Sequence, residues 1–442
     1  MKVSVIGGAG RVGLGMCLVL AESGHFVYGV DLDEEKNALV SSGIMPFYEE
    51  GGEEYLGAAL KKQRLKMTSD LSVISDSEVV IVVIGTPIDS NFNPVVGPLH
   101  DLVSNIAQYL RPGQLIILRS TVSPGTTDLV KRLLEEATGF SIGRDLYLVS
   151  APERVAEGKT IVELTSLPQL IGAYDQLSYS KAETFFQTFL HAQCLSLSPL
   201  EAEIGKLITN MTRYVTFALS NEYHLIAETF GVNINKIIDA CNEDYPRLDL
   251  PSPGPNVGGP CLYKDGWFLI ERVAYNELIS TAFRINEGMP MQIVQKIRQY
   301  ADVRKVAILG MTFKANSDDT RNSLSYKLKK QLDSLCYELV LIDPHVKTCA
   351  PLTQLAGSDA VILMTPHDEF ENLREIVRIV DNPNCLYVDI WGYWTEMKYC
   401  SRNGYFWGKE VSHEDFGFRQ RRVADAEGNS SLDASWSGSH RS

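Results

Sequence analysis

The opening KVSVIGGAGRVG, residues 2–13, restricts the fold more than any other stretch of the chain. A short β-branched run that leads into closely spaced glycines and then into the helical pattern LGMCLVLAESG reads as strand, tight turn and helix. Gly8, Gly10 and Gly13 fit G-x-G-x-x-G, with Val12 beside the last of them. The first glycine serves the turn, the second lets backbone approach a pyrophosphate, and the third lets the helix pack on the strand with its N-terminus toward the phosphates. Asp31 ends the next β-branched run, FVYGVD, where a carboxylate accepts hydrogen bonds from both ribose hydroxyls, so NAD is expected rather than NADP. Arg11, inside the turn, either complements a phosphate or is simply solvated.

Similar runs recur at 79–85, 115–121, 146–151 and 168–173, separated by helical patterns. Apolar strands without alternation imply a parallel sheet covered on both faces. From 198 to 245 the pattern becomes that of a long amphipathic helix with a serine before its first turn. A second alternating block follows, with runs at 304–313, 339–344, 360–366 and 386–391. The expected architecture is α/β, with two Rossmann-like doubly wound domains joined by a central helical domain that contains a long helix. The expected boundaries are 1–197 for NAD binding, 198–290 for the helical domain, 291–410 for the second Rossmann-like domain, and a disordered tail over 411–442 that is rich in Ser, Gly, Asp and Asn.

With 442 residues and a net charge of −14, lacking any basic run, the chain is a poor nucleic-acid binder, and a phosphate ligand has to be held by a few placed cations. The first apolar run is too short for a secretory signal, and nowhere do about 18 uninterrupted apolar residues occur. A cytoplasmic protein with no membrane partner is expected. The 8 cysteines contain no CxxC pair, which fits reduced thiols and no metal site. Core packing is the default for each.

Four further segments carry chemistry: RSTVSPGTT (119–127), APERVAEGK (151–159), EAEIGKLITN (201–210) and GGPCLYKD (258–265). Lys206 and Asn210, four residues apart, project from one helix face and suit a developing oxyanion. Cys261 is either a packed thiol or a nucleophile; a helix N-terminus and Lys264 beside it would favour the thiolate. Asp265 either orients a hydrolytic water or caps the helix. In GMTFKANSDDTRNS, Lys314 supplies a point charge and Arg321 a bidentate fork for phosphate, or the two form a surface pair.

Together with the glycine loop, these segments resemble the UDP-glucose and UDP-N-acetylmannosamine dehydrogenases, nucleotide-sugar 6-dehydrogenases that take a C6 alcohol to a carboxylate with two NAD. The resemblance spans about residues 1–400. It implies a Cys261 thiohemiacetal and thioester, an oxyanion held by Lys206 and Asn210, and Asp265 assisting hydrolysis. It implies that Thr121 and Glu153 hold the catalytic water and position C6, and that Glu157 matches a glutamate of the UDP-glucose branch. Thr86, Thr121 and Val12 are carried over as cofactor contacts. Glu153, Arg154, Lys206, Asn210, Arg247, Gly258, Lys264, Lys314 and Arg321 are carried over as substrate contacts. A homodimer through the central helix and a supply of UDP-uronic acid to polysaccharide synthesis also follow from the resemblance.

PERVAEGK and GPNVGGPC look like the UDP-N-acetylhexosamine branch, whereas Lys264 followed by Asp265 looks like the UDP-glucose and GDP-mannose pattern. The readings of another class are a two-electron β-hydroxyacid dehydrogenase, which needs neither Cys261 nor a second α/β domain, and a catalytically silent binding protein.

Overall fold

A computed structural model describes residues 1–300, 302–394 and 405–407. The expected tail over 411–442 lies outside the described residues, as does the end of the expected third domain beyond 407.

The first sheet contains β1 (Lys2–Ile6), β2 (Phe26–Val30), β3 (Leu65–Thr68), β4 (Val79–Val82), β5 (Leu115–Leu118), β6 (Tyr147–Ser150), β7 (Gln169–Ala173) and β8 (Cys194–Leu197), in the order β3-β2-β1-β4-β5-β6-β7-β8. Its central strands are buried on both faces, which is why VVIV and LIIL show no alternation. The expected all-parallel sheet needs one correction, because β6 and β7 pair antiparallel. The short edge strands β3 and β8 give no clear signal in sequence. LKMT and CLSL carry polar or exposed positions that only their places at the sheet edges explain.

The second sheet contains β9 (Lys305–Leu309), β10 (Glu338–Ile342), β11 (Ala360–Leu363), β12 (Leu386–Val388) and β13 (Tyr405–Trp407), in the order β10-β9-β11-β12-β13. Only β13 runs antiparallel. Both sheets therefore place their first strand between the second and the strand that follows the crossover, the arrangement that opens a ligand crevice at the carboxyl ends.

Between the sheets runs a helix of 32 residues, Pro199–Phe230. Ser198 and Glu201 form a reciprocal capping box at its start, and Gly231 in the left-handed region (φ 65°) ends it. The expected single helical stretch is thus two helices, the second being Ile234–Asn242, capped by Asn233.

A buried carboxylate fixes the long helix to the first sheet. Glu203 accepts from Gly125 N at 2.7 Å, Thr127 N at 2.7 Å and Thr127 Oγ1 at 2.5 Å, so it caps the helix Thr126–Thr138, whose own N-cap is a glycine. Burial pushes the Glu203 carboxyl upward, and the three donors offset this only in part. Lys206 and Asn210 follow on the same face, one and two turns on.

Candidate active site

Cys261 occupies the first turn of the helix Gly259–Ile270. Two glycines with positive φ, Gly258 at 136° and Gly259 at 56°, bring the chain into that turn, and a Cβ on Gly259 would lie 2.3 Å from the Phe313 ring. The helix begins six residues before Asp265, which removes the reading of that residue as a cap. Asp265 is fully buried and faces the long helix, where Asn210 Nδ2 donates to its Oδ2 at 2.6 Å. Its Oδ1 accepts no hydrogen bond from the described residues and has Lys264 Nζ 3.4 Å away. Lys264 also donates to Thr86 Oγ1 at 3.2 Å, and Thr86 Oγ1 donates to the Thr121 carbonyl at 2.5 Å. The helix bearing Cys261 is thereby tied to the loops that follow β4 and β5.

Cys261 and Asn210 border one cleft of about 350 Å³ between the two sheets, with Asp265 buried behind them. Thr121, Glu153, Arg154, Glu157, Lys206, Asn210, Gly258, Cys261 and Lys314 line it. The Cys261 side chain is exposed to the cleft, whose walls crowd around it. Burial, followed by the negative charges of Asp265 and Glu153, pushes its thiol up to about 11, and Lys206 and Lys264 counter only part of this. Burial and the two carboxylates thus work against the expected thiolate in the free protein. Lys206 and Lys264 are the cations that favour it.

Other expected residues sit differently. Arg247 is exposed and stacks over Tyr245 at 5.9 Å, outside the cleft of its own chain. Arg154 borders the cleft but donates to the Pro168 carbonyl. Arg11 is paired rather than simply solvated: its Nε lies 2.8 Å from Glu157 Oε1 and its Nη2 2.7 Å from Asp318 Oδ1. Arg321 joins the same cluster at 2.6 Å from Asp319. Burial, with Asp319 beside it, pushes the Glu157 carboxyl upward, and Arg11 and Arg321 offset only part of this, whereas Asp319, despite its own burial, is held low by Arg321. Lys314 donates to the Glu157 carbonyl at 2.5 Å.

The glycine loop fits a dinucleotide. A Cβ on Gly8 would come within 2.7 Å of Gly29 Cα, and one on Gly13 within 2.0 Å of the Gly7 carbonyl, whereas Gly10 meets only that same carbonyl, at 3.2 Å. The tight turn belongs to Gly7 (φ 87°), one residue earlier than expected, and Gly8 provides the close packing on β2. Asp31 stands at the end of β2, with Oδ2 accepting from Ala9 N at 3.0 Å, level with the loop. Val12 is the second residue of the helix Arg11–Glu22, next to the glycine loop.

Sequence reasoning missed Arg213, Phe217, Asn256, Phe313 and Trp391, all of which line the cleft. Arg213 and Phe217 continue the helix face of Lys206 and Asn210 and were recoverable from that periodicity. Asn256, Phe313 and Trp391 arrive through long-range folding and had no local signal.

Two nucleotide-binding sheets that close on a cleft with a cysteine, a lysine and an asparagine, backed by a buried aspartate, define a dehydrogenase acting on a nucleotide-linked substrate. The chain belongs to the UDP-glucose/GDP-mannose dehydrogenase family: the family's NAD binding domain matches residues 1–190, its central domain 200–288 and its UDP binding domain 307–396. It is an NAD-dependent UDP-sugar dehydrogenase.

The chain is 32% identical over 384 residues to the UDP-N-acetyl-D-mannosamine dehydrogenase of Pyrococcus horikoshii, covering 85% of this chain and 91% of that protein. The solved structure of UDP-D-ManNAc dehydrogenase from that organism superposes with a TM-score of 0.80, covering 86% of this chain and 93% of the other. The native UDP-N-acetyl-mannosamine dehydrogenase of Staphylococcus aureus gives 0.77 at 29% identity, covering 84% and 90%. A UDP-glucose dehydrogenase from Pyrobaculum islandicum gives 0.77 at 25% identity, covering 88% and 93%. Among the described residues no helix is long and apolar enough to cross a membrane.

Proposed function

We propose that the chain oxidises the C6 hydroxyl of a UDP-N-acetylhexosamine, UDP-ManNAc or UDP-GlcNAc, to the uronic acid in four electrons through Cys261. The observation that carries this reading is the convergence of Cys261, Lys206 and Asn210 on one cleft between the sheets, with the buried Asp265 held directly behind Asn210.

NAD supplies the hydride acceptor. The first oxidation takes the alcohol to the aldehyde, losing a hydride from C6 and a proton from its hydroxyl. The Cys261 sulfur then adds to the aldehyde carbon while its proton goes to the carbonyl oxygen, giving a thiohemiacetal. Loss of a second hydride from C6 and of the hydroxyl proton leaves a thioester, and water cleaves the C–S bond to release the acid and restore the thiol. The sum is one alcohol, two NAD and one water to one carboxylate, two NADH and three protons.

Lys206 and Asn210 hold the oxygen on which negative charge develops in each step. Asp265 is held by Asn210 through Oδ2, which leaves Oδ1 to orient the water. Thr121 and Glu153 border the same space and position C6 and water. Glu157 acts from the edge of the cleft by holding Arg11 and Arg321 rather than by moving a proton at C6. Lys314 and Arg321 supply positive charge for the diphosphate, Lys264 holds the catalytic helix to Thr86, and Gly258 admits the sugar against backbone.

The N-acetyl assignment is supported by the relatives named as UDP-N-acetylmannosamine dehydrogenases. The pair Lys264 and Asp265 favours a second reading, UDP-glucose, with the same mechanism. A panel of UDP-ManNAc, UDP-GlcNAc and UDP-glucose, followed by NADH absorbance, decides between them. The expected result is kcat/KM highest for one of the N-acetyl sugars, and preference for UDP-glucose would overturn the assignment.

The chain also dimerises through the long helix in this reading. Ile208, Leu219, Tyr223, Ile226 and Phe230 on that helix are exposed, Phe230 to 75%. An apolar set of this kind on a single helix is costly to leave in water. Light scattering at micromolar concentration should return twice the 49.1 kDa chain mass; a monomer mass would contradict it. Free thiols at the seven described cysteines accord with a cytoplasmic location and with supply of a UDP-uronic acid to polysaccharide synthesis.

A further inference from the structure

The two sheets carry the same local plan at their crevices. After β1 the chain turns at Gly7 (φ 87°), and after β9 it turns at Gly310 (φ 87°). Asp31 at the end of β2 accepts from a loop amide, Ala9 N; Asp343 at the end of β10 accepts from two, Met311 N at 2.6 Å and Thr312 N at 3.0 Å. In each sheet a helix follows the turn: Arg11–Glu22 in the first, Leu324–Ser334 in the second. The second sheet therefore has the frame of a dinucleotide crevice at its switch point, between the carboxyl ends of β9 and β11.

That crevice is already filled by the chain itself. Asn256, 3% exposed, enters it from the loop ahead of the catalytic helix. Its Oδ1 accepts from Leu324 N at 2.7 Å, at the helix N-terminus where a phosphate oxygen sits in a nucleotide site. Its Nδ2 faces four acceptors: the Thr312 carbonyl at 2.9 Å, Thr365 Oγ1 at 2.9 Å, Ser323 Oγ at 3.1 Å and Ser325 Oγ at 3.3 Å. These groups come from the ends of β9 and β11 and from the start of the helix between β9 and β10, so a single amide reads the whole switch point.

The same loop is held from its other side. Gly254 N donates to Asn221 Oδ1 at 2.8 Å, Asn221 Nδ2 donates to Asn286 Oδ1 at 2.9 Å, and Asn286 Nδ2 donates to the Tyr214 carbonyl at 3.1 Å. A Cβ on Gly254 would lie 2.3 Å from the Trp391 ring, so the loop has no slack against the second sheet. Asn256 is five residues from Cys261, and Gly258 and Gly259 complete the path.

We infer that Asn256 is a positioning residue that occupies the nucleotide crevice of the second sheet and couples the placement of that sheet to the placement of Cys261. Asn256 and Thr365 also border the cleft that holds Cys261 and Lys314, so the filled switch point forms one wall of it, and the UDP-binding domain then takes its ligand against Asn256 rather than in the place Asn256 occupies. The coupling rests on the reading of Cys261 as nucleophile.

Two full-length variants test it. Asn256→Ala removes every contact, and Asn256→Asp keeps the shape and the acceptor for Leu324 N while losing the donor. Both are expected to lower kcat by ~10-fold or more, the scale of a small misplacement of reacting groups, with KM for NAD held within about two-fold. Both are also expected to change the rate at which iodoacetamide alkylates Cys261 in the free protein, by about three-fold or more. A merely structural role would lower the melting temperature and leave kcat and the alkylation rate unchanged well below it, and that result overturns the inference. If Asn256→Ala does not fold, the isosteric aspartate variant alone decides. Cys261→Ser, measured in parallel, separates the two readings. Turnover in Cys261→Ser sinks the nucleophile itself, whereas an inert Cys261→Ser beside an Asn256→Asp of normal kcat and normal alkylation sinks only the coupling.

Discussion

Replacing Cys261 by serine is expected to lower formation of the uronic acid by at least about 10³-fold, with the first oxidation slowed far less. Serine keeps the size of the side chain and the start of the helix, so the fold is preserved. What it removes is a sulfur able to hold the aldehyde and then leave from a thioester. A hydroxyl in the same place adds to the aldehyde less readily, and its ester is cleaved more slowly. The product of a long incubation should accordingly include a carbonyl compound that a hydrazine reagent traps, with no more than one NADH for each trapped molecule. Acid release at the wild-type rate would show that the sulfur plays no covalent part.

The second large effect is expected from Lys206→Met. Methionine approximates the length of the lysine stem and accommodates its burial, so the helix and its packing survive. The lost element is the positive charge that faces both Cys261 and the oxygen on C6. Removing one placed oxyanion donor costs ~10²–10³-fold in kcat, or about 2.7–4 kcal/mol. KM for NAD should hold, because the glycine loop lies on the first sheet and does not touch Lys206. A fall in NAD affinity with kcat unchanged would move Lys206 from the oxyanion to the cofactor. The Lys206 charge also lowers the Cys261 pKa, so in this variant the thiol should alkylate more slowly than in the wild type at any given pH below about 11.

Much of this site was legible in the sequence because its signals are local. Gly8, Gly10 and Gly13 declare a turn between strand and helix, Lys206 and Asn210 declare a shared helix face, and Cys261 declares itself near a helix start, although the helix begins at Gly259, earlier than the sequence suggests. Each depends on spacings that backbone geometry alone enforces. The parts that stayed hidden depend on what the chain meets after folding. Nothing near Glu203 says that it will cap the helix Thr126–Thr138, more than seventy residues earlier in the chain. Nothing near Asn256 announces four acceptors from a sheet that has yet to be made.

The state of the Cys261 thiol is a third case. Its helix terminus and neighbouring Lys264 argue for a thiolate, but the sum of charges also includes Asp265 and Glu153, and the cleft walls add desolvation. Arg11 shows the same limit. A cation in a glycine loop suggests a phosphate, and only the folded chain brings Glu157 and Asp318 to it. Arg247, carried over by resemblance, has no place in the cleft of its own chain.

The most direct test of the four-electron chemistry is the number of NADH formed per UDP-sugar consumed by the purified protein, with the sugar limiting and NAD in excess. Two NADH for each sugar, with the uronic acid as product, is the expected result. One NADH per sugar, with the reaction ending at the aldehyde, would contradict it and leave a two-electron dehydrogenase in its place.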